Sequence, residues 1–573
     1  MKISIGFSWA AGTGVNTSGL LLGQLLSAKW YTVLWDKEYA SIIKGDNNNF
    51  FLYISDLPTG QAGAHPFITQ TIDHFFPFDE YSVTKNTKLY KLKKIYPLKD
   101  STVKYKNVFF FWSALKLLGI VREEGEKLLA SQFSGDSLTE NIAILAKWYE
   151  HIKTATYDLS KNVWPAKQFV FWNEMVGTWA VAAGMDFYAA YPMTPASSLI
   201  DVVIENKAVT FFQWEDEIAV SIAMLGAKFA GKRAMCGTSG GGFALMTESI
   251  SFSNQAELWW VYILSQRDGP STGTPTYTGQ SDLNYALNAS FGDTYPIVLA
   301  PSTFEEWYTL IWKALNRSDQ YQHPVIFLID KQFSESYLSI DTKSLVVEEI
   351  NRGKLRKIEE DGGKSSDDYK RYADEKDGIS PVVIPGTENG EFIATSYEHD
   401  EYGATNEDPT FKKQQQDKRF RKLDTFVQQE FTEDFYGYEI INPDAKKFFV
   451  TYGVNRYVLA DFIRQKNLKK SWRIWEEISD TISDLSDISS DFWLIIMKVF
   501  QPFDMKLKEF LDEKNKQIKQ LIFVEMNKSG QMEERVTNKC LLHDAKWEWK
   551  INHYRKYTLY PIFLEEIEWI YNW

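Results

Sequence analysis

Between residues 170 and 335 the chain alternates short apolar runs with helical segments, and Gly or Pro marks most of the changes. This alternation constrains the fold more than any other feature. Strand–helix succession through short turns builds parallel strands with helices on both faces. The pattern predicts helices over 174–183, 195–205 and 217–231. It predicts strands over 187–191, 209–214, 234–237, 259–264 and 325–329, the last ending at Asp330. The turn Thr238-Ser239-Gly240-Gly241-Gly242 leads into a further helix from Phe243. The expected class is α/β, multidomain, with doubly wound parallel sheets.

The flanking regions divide differently. Residues 1–160 read as a first α/β domain. A strand over 3–7, the turn Ala11-Gly12-Thr13-Gly14, a helix over 17–28 and a strand over 31–34 begin it, and a helix over 138–153 closes it. That Gly-rich turn meets neither phosphate-loop pattern and reads as a close-packed crossover. Trp164-Pro165 falls in a link to residues 161–335. Residues 336–430 are polar: Glu359-Glu360-Asp361-Gly362-Gly363 and the basic run 412–421 read as solvated loop and linker. Residues 431–573 form a C-terminal α/β domain, with strands over 447–451 and 520–525 and helices over 458–466 and 503–514. Its Trp- and Tyr-rich end reads as a docking tail.

With 573 residues and 44% hydrophobic content, the chain has material for several cores. A net charge of -13 argues against nucleic acid and against an anionic membrane surface as partners. No apolar run is long enough to cross a bilayer, and no secretory signal is evident. Two cysteines, Cys236 and Cys540, make neither a disulfide framework nor a cluster site. The seven His residues form no metal motif, so no metal is expected in this chain. These features together place it in a reducing cytoplasm.

The chemistry-bearing residues sit where strands end. Arg267-Asp268-Gly269-Pro270-Ser271-Thr272-Gly273-Thr274-Pro275-Thr276 follows the 259–264 run. One guanidinium beside a rigid, hydroxyl-rich loop suits a small carboxylate, though an ordinary strand-to-loop exit has the same composition. Tyr191-Pro192-Met193-Thr194-Pro195 ends another strand, and Thr194 is also a helix cap ahead of Pro195. Glu215-Asp216-Glu217 opens a helix, where acids complement the N-terminus whatever else they do.

Taken together, in order and spacing, these segments resemble the α subunit of the 2-oxoacid:ferredoxin oxidoreductases, in the form with a fused N-terminal γ domain. The likeness is specific over 173–335. It extends through Gln280 and Asp282-Leu283, Asp377-Gly378-Ile379-Ser380-Pro381, Glu398-His399-Asp400-Glu401-Tyr402-Gly403, Lys418-Arg419 and Glu525-Met526-Asn527-Lys528-Ser529-Gly530-Gln531. Glu38-Tyr39-Ala40-Ser41-Ile42-Ile43-Lys44-Gly45 looks like a drifted γ signature.

The resemblance implies a γ-like domain, a thiamine-diphosphate-enzyme domain of pyrimidine type over 161–335, and a transketolase C-terminal-like domain. It implies that Glu217, with Tyr191 and Pro192, borders the pyrimidine ring of thiamine diphosphate, and that Glu217 pairs with the ring nitrogen. By the same carry-over Thr194 lies near the reacting carbonyl, while Arg267 and Thr276 hold the 2-oxo acid. The Gly-Asp-Gly motif for diphosphate and Mg²⁺ is missing, so a β subunit is expected to supply it together with an iron–sulfur cluster. Coenzyme A is the expected co-substrate and ferredoxin the expected electron acceptor.

Drift is visible at Lys44, where Arg is usual, at Asp46, where Gly is usual, and at Trp259-Trp260 in place of a Pro-containing turn. The expected substrate is 2-oxoglutarate, with pyruvate or a branched-chain 2-oxo acid as alternatives. A non-catalytic scaffold subunit is the second reading. A transketolase-like or decarboxylase chain is the third, but such chains usually have a diphosphate motif and lack the Arg-x-Gly-Pro-Ser-Thr-Gly run.

Overall fold

The structure is a computed structural model. It describes all residues except 11–14, 41–44, 57–67, 98–105, 150–151, 162–166, 342–346, 357–368, 433–434, 471–491, 544–546, 548 and 573. The first turn (11–14), Lys44, Trp164-Pro165 and the acidic stretch 359–363 lie outside the described residues.

Twenty-one strands are described. In the first part they are β1 (Lys2–Ala10), β2 (Thr32–Glu38), β3 (Asn47–Ser55), β4 (Thr71–Pro77), β5 (Lys91–Ile95) and β6 (Gln168–Phe171). The middle of the chain gives β7 (Phe187–Ala190), β8 (Thr210–Gln213), β9 (Ala234–Thr238), β10 (Val261–Gln266), β11 (Ile297–Leu299), β12 (Val325–Asp330) and β13 (Tyr337–Ile340). Then come β14 (Leu355–Arg356), β15 (Val382–Val383), β16 (Tyr438–Ile441), β17 (Lys447–Thr451), β18 (Phe492–Met497), β19 (Val499–Gln501), β20 (Gln520–Glu525) and β21 (Lys550–Arg555).

The central sheet has the order β19-β11-β12-β10-β9-β7-β8. Its pairings are parallel except at the edge, where β19 joins β11 antiparallel. β9, β10, β11 and β12 are buried along their whole length, as strands covered by helices on both faces must be. The C-terminal sheet, β16-β18-β17-β20-β21, is parallel apart from β16.

The N-terminal sheet is mixed rather than uniformly parallel, with the order β5-β4-β1-β3-β2-β13-β6. β3 inserts antiparallel between β1 and β2. A buried apolar strand has the same residue pattern in either direction, so pairing direction was not readable from the sequence. β6 and β13 also pair in this sheet, antiparallel to each other, so the strands on either side of the central sheet's β7–β12 join the N-terminal sheet.

The basic run 412–421 is not solvated loop. It belongs to the Pro409–Glu430 helix, which Asp408 caps and Pro409 begins. Lys418 Nζ reaches Glu257 Oε1 at 2.6 Å, Lys422 Nζ pairs with Glu257 Oε2, and Arg371 Nη2 donates to the Glu257 backbone oxygen at 2.6 Å. All four side chains are buried. The charges find their partner some 160 residues away, which composition cannot register. The C-terminal Leu564–Tyr571 helix packs back on the chain, burying Ile567 and Ile570, and Thr69 Oγ1 donates to Glu565 at 2.6 Å. Among the described residues no helix is long and apolar enough to cross a membrane.

Candidate active site at the strand ends of the central sheet

The C-terminal ends of β7, β8, β9 and β10 deliver the expected residues to one side of the central sheet, the usual ligand edge of an open α/β sheet. β8 ends at Gln213, and the chain turns into the Glu217–Phe229 helix. The three acids there part company. Asp216 caps the helix, accepting from Ala219 N at 2.8 Å, and Glu215 is exposed. Glu217 turns inward, is only 4% exposed, and its Oε1 has no hydrogen-bond partner among the described residues. An unsatisfied buried carboxylate oxygen is costly unless something outside the chain completes it.

The glycine run makes room for that carboxylate. β9 ends at Thr238, and a short helix begins at Gly240, three residues earlier than the sequence pattern placed it. A Cβ on Gly242 would lie 2.6 Å from Glu217 Oε1 and closer still to Thr238 Oγ1. A Cβ on Gly240 would lie 2.7 Å from Asp282 Oδ2. Gly241 between them is exposed and would meet nothing within 4 Å. The run thus packs two carboxylates against its outer residues and leaves the middle one open.

Arg267 follows β10 directly. Its Nη1 donates to the Thr194 backbone oxygen at 2.7 Å, joining the two expected substrate residues through one bond. Burial lowers the Arg267 pKa, opposed by Asp282 and Tyr39. The loop then folds back: Asp268 N donates to Tyr277 O at 3.1 Å, so the neighbours of Arg267 and Thr276 are held together. Gly273, at φ +51°, permits the turn, since a Cβ there would strike the Asp268 and Gly269 backbone. Thr276 is buried and lines a chamber with Asp36, Glu38, Lys37 and Lys331. Burial, then Asp36, pushes the Glu38 carboxyl up to about 7. Tyr39 turns aside and donates to Glu335 Oε1 at 2.7 Å. Tyr191 and Pro192 stand exposed at the rim.

Two residues of the motif that follows Thr276 take defined places here. Gln280 is fully buried and links the loop to the C-terminal sheet. Its N donates to Met526 O at 2.8 Å, and its Oε1 accepts from Asn455 Nδ2 at 2.9 Å and Met526 N at 3.1 Å. Asp282 lies against Gly240. Both partnerships span distant segments, so no local periodicity reveals them. An apolar face adjoins the site: Phe212, Trp214, Ile218, Ile222 and Leu245 are all exposed. Exposed apolar side chains in such number are material for an interaction surface.

Sequence and structure comparisons agree on the class. Residues 179–417 match the family described as pyruvate flavodoxin/ferredoxin oxidoreductase, thiamine diphosphate-binding. The chain is 27% identical to a 2-oxoacid:ferredoxin oxidoreductase subunit alpha from a Sulfolobus species, over 90% of this chain and 89% of that one. It is 32% identical to 2-oxoglutarate synthase subunit KorA of Methanocaldococcus jannaschii, over 50% of this chain and 75% of that one. A solved 2-oxoglutarate:ferredoxin oxidoreductase from Magnetococcus marinus shares the fold, with TM-score 0.80 at 23% identity over 100% of this chain and 99% of that one. The fold and these relatives define an oxidoreductase subunit with a thiamine diphosphate-binding domain. The chain belongs to the 2-oxoacid:ferredoxin oxidoreductase α-subunit family.

Proposed function

We propose that this chain, joined to a β subunit that carries the diphosphate–Mg²⁺ site and an iron–sulfur cluster, oxidatively decarboxylates a 2-oxo acid. The overall balance is 2-oxo acid, coenzyme A and two oxidised ferredoxins giving acyl-coenzyme A, CO₂, two reduced ferredoxins and one proton. The observation that carries the reading is the unpartnered Oε1 of Glu217, buried beside a glycine whose missing side chain leaves the carboxylate its space. These residues fit the edge of an aminopyrimidine, which offers a ring nitrogen to a carboxylate.

Thiamine diphosphate, when bound, supplies a nucleophilic carbon and an electron sink. Glu217 would hold the aminopyrimidine edge through its Oε1 and keep a proton at that atom. Tyr191 and Pro192 border the ring. Arg267 binds the substrate carboxylate, Thr276 donates a second hydrogen bond, and Thr194 lies by the reacting carbonyl. The exposed apolar face from Phe212 to Leu245 is the docking surface for the β subunit, and closure over it would exclude water from the site. The substrate preference is 2-oxoglutarate, supported by relatives named for it. The location is cytoplasmic, in keeping with two free, buried cysteines.

The test is co-expression with a β-type chain, followed by dye-reduction assays on 2-oxoglutarate, pyruvate and 2-oxoisovalerate with coenzyme A. The highest kcat/KM is expected for 2-oxoglutarate. A cofactor-loaded complex inert toward all three would overturn the proposal.

A further inference from the structure

The loop that carries Arg267 and Thr276 is closed at its neck by a different domain. Its two arms meet first within the central domain. A Cβ on Gly279 would lie 3.3 Å from Arg267 O and from the Asp268 N and Cα, so the returning arm runs against the residues that leave β10. At Gln280 that arm is then fastened to the C-terminal domain. Asn527 Nδ2 and Tyr452 Oη donate to Gln280 O at 2.9 and 3.2 Å. Gln280 Nε2 donates to Tyr452 O at 3.3 Å and to Asp330 Oδ2 at 3.4 Å, while Oε1 accepts from Asn455 and Met526. Ser281 O accepts from Gln531 Nε2 at 2.7 Å. Apart from Asp330, these partners follow the ends of β17 and β20. Gly453, at φ +63°, leaves room for the amide, since a Cβ there would lie 2.7 Å from Gln280 Nε2. Arg267 is held otherwise: it leaves β10, which is buried between β9 and β12.

We propose that Gln280 is a positioning residue for the 2-oxo acid: it carries the C-terminal domain's hold to Thr276 and so sets the spacing of Thr276 from Arg267. The proposal rests on the reading of Arg267 and Thr276 as the substrate pair. A buried amide whose two donor and two acceptor positions are all used has one orientation, and the chain on either side of it is fixed with it. Without that amide, Asn455 Nδ2 and Met526 N lose their acceptor and the returning arm is released, while Arg267 and Glu217 keep the elements that hold them. The substrate then keeps its guanidinium and loses a correctly placed hydroxyl. A hydroxyl already out of place has nothing further to lose, so the effects of removing Gln280 and Thr276 do not add.

The experiment is steady-state kinetics on the complex with its β subunit, using the 2-oxo acid of highest kcat/KM. Thr276→Val and Gln280→Ala should each raise KM roughly tenfold, with kcat within about threefold of wild type. The double variant should stay within about threefold of the larger single effect, where independent effects would multiply to roughly 100-fold. Asn455→Ala removes one bond from the same amide by way of the other domain. It should raise KM without adding to Thr276→Val, and it supplies the cycle if Gln280→Ala does not fold. Leu511→Ala, in the core side of the Lys506–Glu513 helix, loosens the C-terminal domain away from this junction and should leave KM unchanged. Unchanged KM in Gln280→Ala, multiplying effects in the double variant, or an equal KM rise in Leu511→Ala overturns the proposal alone. Unchanged KM in Thr276→Val overturns the substrate-pair reading and the proposal with it.

Discussion

Gly242 and Gly241 differ by one position, and the structure separates them sharply. Gly242→Ala places a methyl group 2.6 Å from Glu217 Oε1 and against Thr238 Oγ1, whereas Gly241→Ala places one in open space. Both substitutions gain the same helix preference, so the difference between them isolates the clash. Overpacking a fixed neighbour costs about 1–3 kcal/mol. Here one neighbour is fixed, since Thr238 is β-branched and buried in β9, and the other moves, since the Glu217 side chain can rotate away. The cost therefore divides between stability and function. Relative to Gly241→Ala, Gly242→Ala should lower the midpoint of thermal unfolding by about 2–8 °C, taking about 1–2 kcal/mol at the slopes usual for domains of 150–250 residues. Displacing Glu217 should also weaken thiamine diphosphate binding by roughly tenfold or more, the loss expected for a charge-assisted hydrogen bond of about 1.5–3 kcal/mol. The assay is a thermal scan of each variant complex, followed by cofactor titration on intrinsic tryptophan fluorescence. If the two alanine variants match in both measurements, Gly242 is not the glycine that gives Glu217 its place.

Arg267→Lys keeps the charge but loses the planar fork. It should raise KM for the 2-oxo acid by roughly 10- to 100-fold with a smaller change in kcat, checked by steady-state kinetics. Glu257→Gln leaves Lys418 and Lys422 buried without their carboxylate, while Arg371 keeps its bond to the backbone oxygen, a loss of about 3–5 kcal/mol in chemical denaturation. The three cations hold the Glu257 carboxyl well below its ordinary value of 4.5. A depressed carboxyl stabilises the fold above that value and loses the contribution as pH falls below it. The acid limb of the stability–pH curve should therefore flatten in Glu257→Gln, and an unchanged limb would show that the cluster is not its source.

What the sequence disclosed and what it hid have physical causes. The strands β7 to β10 were readable because each is a short apolar run closed by Gly, Pro or an acid, and their parallel pairing puts their C-terminal ends on one side of the sheet. The places of Thr194, Glu217 and Arg267 at those strand ends are legible in the sequence, while their roles are what the family resemblance implies. Glu217 could not be separated from Glu215 and Asp216 by composition; the distinction is which of the three caps the helix and which turns inward. β3 was hidden because direction is not written in a buried run, and β18, six consecutive buried residues, has no period to distinguish strand from helix. The 412–421 helix was misread because Lys418 and Lys422 look solvated until Glu257 arrives from another part of the fold. Gln280 owes its place to contacts with the central and C-terminal sheets and Asp282 to contacts at the ends of β9 and β10, which one-dimensional spacing does not encode.

Glu217 is the residue on which the account turns, and its role is measured most directly by deuterium exchange at the thiazolium C2 of cofactor bound to the complex, quenched in acid and read by proton NMR. Glu217→Gln should retain bound cofactor yet slow the exchange by at least ~100-fold, the lower end of what a positioned proton-transfer group contributes. Exchange at the wild-type rate in a fully loaded Glu217→Gln complex would contradict the account.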